Sequence, residues 1–159
     1  MKTLLENSLP FTSWLIVGIG WLGLSSPALA ALGGDVTSVA ADQAHMKASI
    51  EVKQSEGYEV HALQAPGGTV VSEYVSPSGR VFAVAWHGPF FPELHQILGS
   101  YFQQYSAALQ AEKKPHGHRP LNLEQPGLVV QTGGHMRAYF GRAYIPEMLP
   151  PGLKVEEIK

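Results

Sequence analysis

His135, Arg137 and Tyr139, in the run G-G-H-M-R-A-Y-F-G-R, are the side chains whose types and spacing point most directly to chemistry. If the run is a β-strand, period two sets all three on one face. A histidine able to accept a proton, a fixed cation and a phenol could there hold a carboxylate or phosphate, or supply a base. One strand offers neither a nucleophile nor a second carboxylate, so the expectation is a ligand-binding face and no catalytic set.

Other combinations carry less. His116 and His118 could ligate a transition metal, but zinc wants three or four ligands. A third would have to come from His45, His61, His87 or His95, and the only acids near the pair are Glu112 and Glu124. No metal and no cofactor are therefore expected. The motifs H-E-x-x-H, G-x-S-x-G and S-x-x-K are missing, as is any calcium loop, and Ser78 reads as a turn serine. Glu73 could be one of the two carboxyl groups that sugar hydrolysis needs. No partner for it can be named, and a surface position is expected; the only two aspartates, Asp35 and Asp42, lie together near the expected mature amino terminus. Gly67-Gly68 and Gly133-Gly134 read as hairpin turns, not as phosphate-cradling loops between a strand and a helix.

These residues must be positioned by the elements around them. From Pro92 to Gln110 the residues Leu94, Ile97, Leu98, Tyr101, Phe102, Tyr105 and Leu109 recur at three-and-four spacing, which predicts one amphipathic helix. Pro92 suits its first position and Glu93 the positive end of its dipole. Trp86, Phe90 and Phe91 continue an aromatic run that could line a pocket, but it shares the helix periodicity and core packing is the expectation. Gly99 inside the helix costs about 1 kcal/mol against alanine and suggests close approach to a sheet.

Upstream, Ser49 to Lys53, Tyr58 to Gln64, Thr69 to Ser76 and Arg80 to His87 read as strands separated by turn residues. The last is apolar on both alternating faces, so it should be central and covered on both sides. Downstream, Gly127 to Thr132 and His135 to Ile145 read as two more strands about a Gly133-Gly134 turn, with Met136, Ala138 and Phe140 facing the core. Residues 111–126 read as an exposed loop, Pro146 to Lys159 as a surface tail, and Ala31 to Lys47 as a short helix capped by Thr37 or Ser38, with a strand as the competing assignment.

The chain has 159 residues, no cysteine and a formal charge of −2. That balance gives no basic surface for a phosphate backbone, so nucleic acid is not an expected partner. The apolar run Trp14 to Leu24 is too short to span a bilayer and leads into Ala28-Leu29-Ala30, a small-x-small pattern. Residues 1–30 are thus expected to be a secretory signal cleaved after Ala30, leaving 31–159 as one domain without a membrane span. Without cysteine it must hold together by packing alone.

Three stretches, A-L-G-G from Ala31, E-Y-V-S-P-S-G-R-V-F-A-V-A-W-H-G-P from Glu73 and G-G-H-M-R-A-Y-F-G-R-A-Y-I-P from Gly133, make the chain resemble the bacterial family known as domain of unknown function 2844. The resemblance implies a small exported protein of Gram-negative bacteria with a periplasmic address. It carries no catalytic residue onto any position here.

The combined expectation is an α+β domain, with an antiparallel sheet of about five or six strands and one long amphipathic helix packed across one face. The function expected is that of a periplasmic, non-enzymatic binding or interaction module, with His135, Arg137 and Tyr139 as its ligand-binding residues and an envelope protein or small ligand as partner. The alternative is a hydrolase-like envelope enzyme using His135 and Arg137. It needs Glu73 or Tyr74 within reach of His135, and the loop Lys113 to Pro126 to close over them.

Overall fold

A computed structural model describes residues 32–111 and 120–159. The expected signal segment 1–30 with its cleavage point, and His116 with His118, lie outside the described residues.

Seven antiparallel strands form one sheet: β1 (Ser49–Ser55), β2 (Tyr58–Gln64), β3 (Val70–Val75), β4 (Val81–Gly88), β5 (Leu121–Gln125), β6 (Leu128–His135) and β7 (Ala138–Tyr144). Their order is β1-β2-β3-β4-β7-β6-β5. β4 is the middle strand, and Val81 to Trp86 are all buried, as its two apolar faces require. Fully burying side chains the size of Phe82 and Trp86 contributes about 1.5–3 kcal/mol each.

The count of five or six strands is corrected to seven. The strand missed is β5, which lies in the segment read as loop. Pro120 and Pro126 bracket it, and its five residues offer only Leu121 and Leu123 as alternating apolar positions.

The expectation of one long helix is also corrected. After β4 the chain forms α2 (Leu94–Leu98), a 3-10 turn (Gly99–Tyr101) and α3 (Phe102–Ala111). The break falls at Gly99, whose φ of 49° and ψ of −122° leave helical space. Pro92 precedes the first helical residue, and Glu93 takes the N-cap position in extended conformation. Together with α1 (Thr37–Met46), these short helices cover one face of the sheet. Val39, Ile97, Leu98 and Tyr105 there join Leu63, Val84, Trp86 and Val130 in the larger core. Neither Thr37 nor Ser38 caps α1; instead the Asp35 carboxylate accepts from the Thr37 amide at 2.9 Å.

The opposite face is closed by the segment read as a surface tail. Residues Pro146 to Lys159 cross it in two 3-10 turns, and Ile158 is buried among Tyr74, Phe82, Ala85 and Tyr144. The Tyr74 hydroxyl accepts from the Lys159 amide at 3.0 Å, and Arg142 Nη1 donates to the carbonyls of Val155 and Ile158. Polar bonds to backbone thus fix the tail where apolar contact alone would let it slide. No helix among the described residues is long and apolar enough to cross a membrane.

Candidate functional site

The hairpin β6–β7 does not turn at Gly133-Gly134. β6 runs on through both glycines to His135, which pairs with Ala138, and the turn is Met136-Arg137. Arg137 takes a left-handed φ of 66° there. Both glycines are needed for close approach. A Cβ on Gly133 would stand 2.7 Å from the Phe140 ring, and one on Gly134 2.1 Å from the Ala138 carbonyl.

The three residues expected on one strand face are therefore split around a turn. Val130 faces the helices, so alternation puts Gly134 and its partner Tyr139 on that side, and Gly133, His135 and Phe140 on the tail side. The Tyr139 ring packs edge-on against Phe91, itself packed on Trp86. His135 is exposed, with Nδ1 3.2 Å from the Met136 carbonyl. Met136 and Phe140, expected to face the core, are 79% and 57% exposed.

An enzyme built on His135 would need Glu73 or Tyr74 beside it. Glu73 shares a row with Val84, Ala143 and Val130, and Val130 lies five residues from His135 along β6. At about 3.3 Å per residue that is already some 16 Å, before the two strands between, β4 and β7, are counted. Tyr74 faces the tail and is engaged with it. Neither serves His135.

Glu73 has a different partner, one that no spacing in the sequence revealed. It is 1% exposed beneath the helices, and Asp42 of α1 and Gln96 of α2 are 0% and 5% exposed. The Gln96 amide donates to Asp42 Oδ1. Neither Glu73 oxygen has a hydrogen-bond partner among the described residues, and the charged group bearing on them is the Asp42 carboxyl. Burial, then the Asp42 charge, pushes the Glu73 carboxyl up to about 9. Burial also raises Asp42, while Gln96 and Glu73 as donors and the His45 charge oppose that rise. Glu73 is thus the carboxyl of the pair that keeps its proton. Two carboxyl groups sealed from solvent cannot meet a substrate; they sit where α1, α2 and β3 pack together, and the bond that joins elements there runs from Gln96 of α2 to Asp42 of α1. His61, across the strand pair from Glu73, turns instead to Glu59 at 3.2 Å. No group of three His, Asp or Glu among the described residues could hold a metal ion.

An accessible cavity lies on the tail side. A cleft of about 500 Å³ opens between the sheet and the end of the tail, with Phe140 and His87 on one side, Gln131 and Arg142 on its floor, and Glu156 and Lys159 opposite. Phe140 and His87 are cross-strand neighbours. Arg142 Nε donates to Gln131 Oε1 at 2.7 Å, and Gln131 Nε2 to Asn122 Oδ1 at 2.9 Å, so a chain of side chains holds the guanidinium still. A second hollow of about 820 Å³, at the other end of the sheet, carries Glu56, Glu147 and Glu157 with no cation. The smaller cleft combines an aromatic wall with a fixed cation, the mixture ligand sites use. Its components could not be read from the sequence, because strands β4, β6 and β7 and the tail each supply part.

The family model described as "Protein of unknown function (DUF2844)" matches residues 28–158. Neither a curated protein nor a solved structure matches. With nearly the whole of the described domain inside that match, the chain belongs to the DUF2844 family of proteins of unknown function.

Proposed function

We propose that the protein is a non-enzymatic binding module of the bacterial periplasm, exported by residues 1–30, and that its ligand site is the cleft beside Phe140 and Arg142. The observation that carries this reading is the cleft's make-up: about 500 Å³, an aromatic wall and a guanidinium held by Gln131 and the tail. Such a site suits a small amphipathic ligand with a flat apolar part against Phe140 and His87, and an anionic or carbonyl oxygen toward Arg142 and Lys159. Of the three binding residues first expected, His135 lies on this side of the sheet, but none of the three lines the cleft. Tyr139 is on the opposite face, and Arg137 is in the β6–β7 turn.

Anilinonaphthalene sulfonate, an aromatic anion, is the probe. The expected result is a saturable, single-site fluorescence gain that Phe140→Ala weakens roughly tenfold, about 1.4 kcal/mol, and that Phe90→Ser leaves unchanged. A gain that never saturates, or one indifferent to Phe140→Ala, overturns the assignment.

A further inference from the structure

The described residues include six exposed large hydrophobics, and four of them, Phe90, Phe91, Met136 and Phe140, gather at one end of the sheet. Topology puts them there. Gln64, Val70, His87, Phe140 and Gly133 form one row across β2, β3, β4, β7 and β6, so the β2–β3 turn, the loop after β4 and the β6–β7 turn all leave from the same edge. Phe90 and Met136 are the most exposed side chains of the four, at 62% and 79%. They line neither of the two cavities already described.

We propose that this strand end docks on an anionic lipid bilayer, with Phe90 and Met136 entering the headgroup region and Lys47 and Arg137 meeting the lipid charge. Charge argues for that occupant. The three turns and loops, residues 65–69, 88–92 and 136–137, contain no aspartate or glutamate, although the chain carries 13 acids and a net −2. Lys47, just ahead of β1 at the same end, and Arg137 are both exposed. Glu93, the acid that follows Pro92 in the chain, sits against His45 at 3.3 Å.

Backbone chemistry argues for it too. A loop entering lipid must not bring unpaired polar groups with it. The Thr69 hydroxyl accepts from the Phe90 amide at 3.2 Å and donates to the Phe90 carbonyl at 2.9 Å. Pro89 and Pro92 have no N–H. The loop thus presents apolar side chains on a backbone with few donors left open, and phenylalanine and methionine beside cations are what a membrane interface takes up. The inference stands apart from the cleft, which Phe90, Met136, Lys47 and Arg137 do not line.

The chain has no cysteine, so a single introduced thiol labels one site. An environment-sensitive fluorophore at Ala138→Cys, beside the β6–β7 turn, reads this end. The same label at Glu56→Cys reads the opposite end. With vesicles of phosphatidylglycerol and phosphatidylethanolamine, the label at position 138 is expected to shift to the blue and brighten several-fold, and the label at 56 to stay as in buffer. Phosphatidylcholine vesicles should give neither change. Phe90→Ser with Met136→Ser should weaken vesicle binding at least tenfold, and Arg137→Glu about fivefold. All three side chains are exposed, and unchanged circular dichroism would confirm the fold. Silence at position 138, an equal response at 56 or with phosphatidylcholine, or a response surviving the double substitution overturns the proposal.

Discussion

Glu73 shows how a single residue can be misjudged from its type. Glutamate on a strand usually faces water, yet Val71 and Val75 flank Glu73 at period two and all three are buried on the helix side. That alternation was the available signal. The partner was not available, because Asp42 is brought over β3 only by the packing of α1. Because the fold holds Glu73 at about 9 against an ordinary value of about 4.5, the folded state keeps a proton that the unfolded chain releases. The stability so contributed is complete below about pH 4.5 and is lost as the pH rises toward about 9. The raised value of Asp42 works in the same direction. Melting temperature should therefore fall by several degrees between about pH 5 and about pH 9. Glu73→Gln, neutral at every pH and of the same size, should remove most of that slope. A wild-type melting curve flat over this range, or a Glu73→Gln curve as steep as wild type, would show that the pair does not hold its proton.

At the scale of elements, apolar periodicity located the helical stretch and six of the strands, because each buries a stripe or an alternating face that composition makes visible. It did not locate the break at Gly99 or the strand β5. A glycine inside a helical pattern reads as a mild defect, and its positive φ is decided by how the following turn must be set down on the sheet. β5 pairs only with β6 and is covered by α3, so its short alternation rests on contacts made elsewhere in the chain. The hairpin turn was misplaced for a related reason: Gly133-Gly134 has turn composition, but its glycines make room for Phe140 and for the neighbouring strand. The cost of the break is measurable. Gly99→Ala forces a side chain into a conformation glycine alone adopts readily, so it should destabilise by about 1–3 kcal/mol. Ser100→Ala, exposed next door, should stay within about 0.5 kcal/mol. Urea midpoints compare the two, and equal midpoints would mean that the break is not enforced by Gly99.

Taken whole, the molecule is a sheet with two unlike covers: short helices over a buried acid pair on one side, and a tail pinned by Tyr74 and Arg142 on the other. The α+β class was legible from the order of elements. The identity of the second cover was not, since Pro146 to Lys159 has no periodicity of its own and takes its shape from the groove it fills. Because the tail stops short of Phe140 and His87, a cleft remains at its edge, and binding in that cleft is the central claim. Native mass spectrometry of the protein, purified gently from its own host cells, tests it most directly, with a Phe140→Asp variant prepared alongside. The expected result is a reproducible small-molecule mass on the wild-type protein that the variant lacks. A bare wild-type mass, or an added mass that Phe140→Asp retains, would contradict it.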